Sequence, residues 1–244
     1  MTGGAEVVAV PALGDNYIWL LHDRDSGHTA VVDPGDGAAA LNALAERGWT
    51  ADQLLVTHWH PDHTAGVAQV QAASGAEVWA PGAERAKFAG FDHGVGEGDR
   101  VTVGPWTAEV WAVPGHTLGH IAYILPEIGV ALVGDTLFAC GCGRLFEGTP
   151  EQMFGSLQRL GELPGETLAY PAHEYTLSNV RFAAHAEPGN AAIAERLRAV
   201  EAARAKGRVT LPTSIADERA TNPFLRAASA KEFAALRARK DSFR

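Results

Sequence analysis

Cysteine is nearly absent from this chain: its 244 residues hold only Cys140 and Cys142, two positions apart in Cys-Gly-Cys. That spacing is too tight for an ordinary structural disulfide, so no bridged framework supports the fold, and a reducing compartment suits the chain. Long apolar runs are missing as well. No stretch approaches the roughly 18 apolar residues of a membrane span, and the N-terminal MTGGAEVVAVPALGDNY lacks a basic segment followed by an apolar core and a cleavage site. The expectation is a cytoplasmic protein with no membrane association. Positive charge is also in deficit. The formal net charge of −9 argues against a nucleic-acid partner.

The deficit is unevenly spread. Residues 1–172 carry 7 Lys and Arg against 21 Asp and Glu, a balance of −14, whereas 173–244 carry 13 against 8, or +5. Secondary-structure signals change at the same place. EVVAV, YIWLL, AVVD, QLLVT, EVWA, RVTV, AEVWAV, IAYIL, GVALVG and TLAYPAH are short β-branched or aromatic runs bounded by Gly, Pro or Asp, and they predict strands. GAAALNALAERG, TAGVAQVQAASG and TPEQMFGSLQRLGELPG show helical spacing and stop at glycine. After residue 173 the pattern is helical throughout, in LSNVRFAAHAEP, NAAIAERLRAVEAARAKG and SAKEFAALRARK. Two domains are predicted: a mixed α/β domain over 1–172 and a small α-helical, cationic domain over 173–244. The cationic part suits an anionic small molecule.

The densest chemical signal is THWHPDHTAG at 57–66, which sets three histidines and an aspartate within six positions. His58 and His60 follow the strand QLLVT two residues apart, so they should project to one side and share a metal. Pro61 suits the first turn of a helix, which redirects Asp62 and His63. A single tetrahedral ion rarely takes four ligands from six residues, whereas two adjacent ions can divide them. Two four-coordinate ions sharing a carboxylate and a water need about seven side chains. The remaining three are supplied by His116 in PGHTLGH, Asp135 in GDTLF and His173 in PAHEY, each just past an apolar run where a loop at a sheet edge would present it. His22, His28, His93 and His185 receive no role, and His120 a supporting one.

THWHPDH, PGHTLGH, GDTLF and the later histidine resemble the metallo-β-lactamase superfamily, and VVDPGD is similar to its early aspartate motif. The resemblance implies an αββα sandwich with its metals at one edge and Asp33 as a buried support. DNYIWLL, GDTLFACGCGRLFEGTPEQM, HEYTLSN, TNPFLR and RARKDSF extend the likeness along almost the whole chain to glyoxalase II, the hydroxyacylglutathione hydrolases. That resemblance implies two divalent metal ions, zinc first, with iron or manganese as the other candidates. His58, His60 and His116 would hold one ion, Asp62, His63 and His173 the other, and Asp135 would bridge them. It further implies hydrolysis of S-(2-hydroxyacyl)glutathione, chiefly the D-lactoyl thioester of methylglyoxal detoxification. A metal-bridging hydroxide oriented by Asp62 would be the nucleophile.

Arg237 and Lys240 match the carboxylate-binding pair of that family, Arg144 a basic position, and Tyr175 and Asn179 substrate-contacting or supporting positions. On spacing alone, Arg237 and Lys240 read as solvated helix charges. Where some members carry a tyrosine this chain has Phe146, a missing hydroxyl worth about 1 kcal/mol. Cys140 and Cys142 are read as structural, and the chain as a monomer. Two competing readings are a mononuclear-iron persulfide dioxygenase on the same scaffold and a non-catalytic, metal-stabilised binding protein. An RNA-processing nuclease is disfavoured by the acidic balance of residues 1–172.

Overall fold

The structure is a computed structural model that describes residues 4–243. Its elements, in chain order, are β1 (Ala5–Ala12), β2 (Asn16–Asp23), β3 (Thr29–Val32), α1 (Gly37–Arg47), β4 (Gln53–Leu55), α2 (Pro61–Thr64), α3 (Val67–Ser74), β5 (Glu77–Pro81) and β6 (His93–Val95). Then come β7 (Arg100–Val103), β8 (Trp106–Ala112), β9 (Ile121–Leu125), β10 (Val130–Gly134), β11 (Leu137–Phe138), β12 (Gly141–Cys142), α4 (Pro150–Gly161) and β13 (Leu168–Pro171). The last are α5 (Thr176–Ala186), α6 (Ala191–Arg204), β14 (Thr213–Ser214), α7 (Ile215–Thr221), α8 (Pro223–Arg226) and α9 (Ala230–Ser242). Chain contacts divide these into one unit of Met1–Ala112 with Gly119–Gly134, and a second of Val113–Leu118 with Asp135–Arg244.

In the first unit β1, β2 and β3 run antiparallel, with Val10 opposite Ile18 and Leu20 opposite Val31. β3, β4, β5 and β6 then continue the sheet in parallel. Parallel neighbours need crossover connections, which α1 supplies between β3 and β4 and α3 between β4 and β5. Asp36 caps α1 by accepting from the amide of Ala39, and Gly48 ends it in a left-handed conformation, φ 68°. Leu44 and Val70 bury themselves among Leu20, Val31, Leu54 and Val78, every one of which is at most 3% exposed. This single apolar layer holds helices to sheet. β7 to β10 form an antiparallel sheet behind it. Gln53 Nε2 donates to the carbonyl of Thr102 at 2.8 Å, and the Tyr123 hydroxyl reaches the carbonyl of Val56 at 3.2 Å. These bonds satisfy buried polar groups between the two sheets.

The second unit pairs β11 with β12 and β13 with β14, both antiparallel. Thr149 and Gln152 close a reciprocal capping box at the start of α4, with Pro150 in its first turn. Asn190, Ser214, Asn222 and Ser229 cap α6, α7, α8 and α9. Phe182, Phe224 and Phe233, all fully buried, make the core of the helical region, with ring centroids 5.7 and 5.8 Å apart. The sequence predicted only helices after residue 173. Thr213 and Ser214 instead add a short strand beside Leu168 and Ala169, a pairing that two residues cannot announce by periodicity.

Candidate metal centre

In the first unit the candidate ligands lie just beyond the C-terminal ends of the parallel strands β3 and β4, the edge where open α/β sheets present binding groups. β4 itself ends at Leu55, before the histidines. Asp33 follows β3 in a left-handed backbone conformation, φ 50°. Its carboxylate, 4% exposed, accepts from the amide and the hydroxyl of Thr57, both at 2.7 Å. The Thr57 proton is thereby committed, so Thr57 Oγ1 accepts from His58 Nδ1 at 3.1 Å. His58 Nε2 is then left with its lone pair, 2.9 Å from His60 Nδ1. His63 sets Nδ1 3.0 Å from Asp33 Oδ2 and Nε2 3.5 Å from Asp62 Oδ2. Pro61 occupies the first turn of α2, as its sequence position predicted.

Two further residues complete this side. Asn16 Nδ2 donates to Asp62 Oδ2 at 3.1 Å and so orients that carboxylate. Buried His120 stacks on His58 with ring centroids 4.6 Å apart, a supporting position. The loop after Asp33 also requires Gly35. A Cβ there would stand 1.7 Å from the carbonyl oxygen of Asp62.

In the second unit His116, Asp135 and His173 converge. His116 Nε2 and His173 Nε2 each lie 3.3 Å from the same carboxylate oxygen, Asp135 Oδ2. His116 Nδ1 donates to the carbonyl of Arg144 at 2.8 Å, which leaves Nε2 as the nitrogen that faces the carboxylate. All three are buried, at 4 to 6% exposure. Gly143 makes the approach feasible. A Cβ on it would be 2.0 Å from the Asp135 carbonyl oxygen and 3.1 Å from His116 Nδ1.

Imidazole nitrogens and carboxylate oxygens crowded within about 3–3.5 Å of one another, most of them buried, form a donor set that a divalent cation would satisfy. Within each unit the donors therefore fit divalent metal, and imidazole with carboxylate suits zinc, iron or manganese alike. Thiolate is excluded from the set. Cys142 Sγ faces Arg237 and Cys140 Sγ faces Thr221, and burial pushes the two thiols up to about 11 and about 12 respectively.

The residues matched to substrate binding all fall in the second unit. Arg144 is exposed, with Nε 4.0 Å from Asp241. Tyr175 lies flat on His173, ring centroids 4.7 Å apart at 5°. Asn179 is buried and donates to the carbonyl of Ala139 at 3.1 Å. Arg237 is 6% exposed, donating from Nη1 to the Cys142 carbonyl at 3.0 Å and from Nη2 to Asp241 at 2.7 Å. Lys240 donates to Ser178 Oγ at 2.7 Å, and partial burial, reinforced by the charges of Arg237 and Arg144, lowers its pKa to about 8. Phe146 is 62% exposed and meets His116 edge-on at 5.1 Å. Thr57, Asn16 and Asp241 escaped sequence reasoning. Each nevertheless lies within a motif singled out for other residues: THWHPDH, DNYIWLL and RARKDSF.

Comparison with known proteins agrees along the whole chain. A model of the metallo-beta-lactamase superfamily matches residues 12–173, and one described as the hydroxyacylglutathione hydrolase C-terminus matches 174–243. A hydroxyacylglutathione hydrolase from Erythrobacter litoralis (strain HTCC2594) is 49% identical over 250 residues, covering 98% of this chain and 99% of the relative. Among solved structures, ETHE1 from Myxococcus xanthus superposes with a TM-score of 0.70 at 28% identity, covering 96% of this chain and 89% of that one. TTHA1623 in a di-iron-bound form gives 0.62 at 26% identity, covering 90% and 99%. Superfamily and family models meet at residue 173, and near-half identity runs from end to end: the chain belongs to the hydroxyacylglutathione hydrolases of the metallo-β-lactamase superfamily.

Proposed function

We propose that the chain hydrolyses S-(2-hydroxyacyl)glutathione thioesters, chiefly S-D-lactoylglutathione, to glutathione and the free hydroxy acid. The observation that carries this reading is the near-complete match, 98% of this chain against 99% of the relative, to a protein named for that activity. In this reading His58, His60 and His116 hold one divalent ion and Asp62, His63 and His173 a second, with Asp135 shared. Support comes from the donor chemistry within each unit and from the di-iron form of TTHA1623. Zinc is the proposed resident metal, because soft sulfur leaves during the reaction. When bound, such ions supply Lewis acidity that brings the pKa of water toward neutrality and polarises a carbonyl.

The remaining steps belong to the protein. Asp62, steadied by the Asn16 amide, orients the attacking water. A thiol with a pKa of about 8.5 leaves as thiolate without an acid residue. Lys240 and Arg144 meet the carboxylates of the glutathione moiety, Arg237 supports that wall through Cys142 and Asp241, and Tyr175 flanks His173. The functional division then falls at residue 173, where the ligands end and the cationic segment begins. A monomer in the cytoplasm suits the reading. Among the described residues no helix is long and apolar enough to cross a membrane.

The test is steady-state hydrolysis of S-D-lactoylglutathione by wild type, Lys240→Ala and Arg237→Ala with Lys240→Ala. KM should rise about tenfold or more for the pair, as loss of a charge-assisted hydrogen bond implies. An unchanged KM removes the cationic residues from the substrate site, and absence of turnover by the metal-loaded wild type removes the function.

A further inference from the structure

Between Asp135 and Arg144 the chain makes the short hairpin of β11 and β12, and five consecutive residues there have a backbone polar group bound by a side chain from the helical region. Asn222 Nδ2 donates to the carbonyls of Phe138 at 3.2 Å and Gly141 at 2.9 Å. Asn179 Nδ2 donates to Ala139 O at 3.1 Å, and Arg237 Nη1 to Cys142 O at 3.0 Å. The amide of Cys140, in a left-handed conformation at φ 55°, donates to Glu218 Oε2 at 2.8 Å. Glu218 and Asn222 are fully buried, and Asn179 and Arg237 nearly so. Glu218 is itself held by Arg196 at 2.8 Å, Thr213 Oγ1 at 2.6 Å and Asn222 Nδ2 at 2.8 Å.

Buried backbone groups require partners, but this hairpin also touches every candidate ligand of its unit. Asp135 leads into it, and the Gly143 amide closes it by donating to the carbonyl of Thr136 at 3.2 Å. Arg144, just past it, accepts from His116 Nδ1 through its carbonyl. The Phe138 ring stands edge-on to His173 and to Tyr175, at 5.9 and 5.3 Å. Displacing the hairpin would disturb three ligands together.

We infer that Glu218 and Asn222 are positioning residues for the metal centre: they touch neither metal nor substrate and, together with the bonds from Asn179 and Arg237, set ligand geometry by gripping residues 138–142. The inference rests on the metal-dependent reading above, to which it adds a second role for the helical region. Outer-shell partners of this kind alter metal affinity by about 10- to 100-fold.

The experiment compares Asn222→Ser, Glu218→Gln and Phe233→Leu with wild type. Serine retains a cap for α8 but loses both grips on the hairpin. Phe233→Leu weakens the same helical core without touching the hairpin. Zinc dissociation constants are read by chelator competition on protein shown to be folded by circular dichroism, and kcat and KM at saturating zinc. Asn222→Ser and Glu218→Gln should bind zinc about 10- to 100-fold more weakly, with kcat reduced and KM within about twofold, whereas Phe233→Leu lowers the melting temperature and leaves zinc affinity intact. Wild-type zinc affinity in folded Asn222→Ser overturns the inference. So does an equal loss of affinity in Phe233→Leu. Should Asn222→Ser fail to fold, Asn179→Ser is read by the same criteria. Because affinity is measured without turnover, a wild type that binds zinc yet leaves the thioester intact removes the proposed substrate and not the positioning role.

Discussion

Replacing Asp33 by Asn separates charge from backbone geometry. Asp33 adopts φ 50°, a left-handed conformation that asparagine also tolerates, so the main chain has no reason to move. What changes is the acceptor. Two bonds of 2.7 Å from Thr57 end on this carboxylate, and His63 Nδ1 lies 3.0 Å away. Hydrogen bonds to charged groups contribute about 1.5–3 kcal/mol each. An amide keeps one acceptor oxygen, so a net loss of about 2–4 kcal/mol follows. At about 2–4 °C per kcal/mol for a chain of this size, melting should fall by about 5–15 °C in scanning calorimetry. The Thr57 hydroxyl must also turn to suit the amide, which weakens its hold on His58 Nδ1. Zinc affinity should then fall about 10- to 100-fold, with activity at limiting zinc recovering as zinc is added. A melting temperature within 2 °C of wild type, together with unchanged zinc affinity, would refute the reasoning.

Lys240 gives a pH dependence. Its folded pKa, about 8, lies below the ordinary lysine value of about 10.4, so between these values the unfolded chain binds more protons and stability through this group rises with pH. Substrate binding runs oppositely: KM for an anionic thioester should increase above about pH 8 as Lys240 loses its charge, and Lys240→Ala should flatten that profile. A wild-type KM independent of pH from 7 to 9.5 contradicts this. Cys140 and Cys142, whose thiols burial holds at about 12 and about 11, should resist alkylation at pH 7.5 in the native protein and react in denaturant. Mass spectrometry of iodoacetamide-treated samples checks this, and rapid native labelling would show the thiols more accessible than described.

Legibility from sequence followed the range of the interactions. His58, His60, Asp62 and His63 could be read because six residues of chain confine them, and Pro61 announces the change of direction between the pairs. The candidate ligands at 116, 135 and 173 stood out because each follows an apolar run that reads as a strand. The grip of Glu218 on Cys140 left no such mark. A carboxylate accepting one backbone amide 78 residues away imposes no period and no composition. Arg237 shows the same limit in reverse. From spacing it was an ordinary helix charge, yet its side chain is buried against Cys142 and Asp241, a placement decided by packing of the Phe182, Phe224 and Phe233 core and not by its neighbours in sequence. The strand of Thr213 and Ser214 was hidden because two residues have no alternation to display.

Metal stoichiometry of the fully active enzyme tests the central claim most directly. Elemental analysis of the protein while zinc is titrated back into chelator-treated enzyme should show thioester turnover reaching its plateau at two equivalents per chain. A plateau at one equivalent, with the second ion adding nothing to turnover or affinity, would contradict the division of His58, His60, Asp62, His63, His116, Asp135 and His173 between two ions.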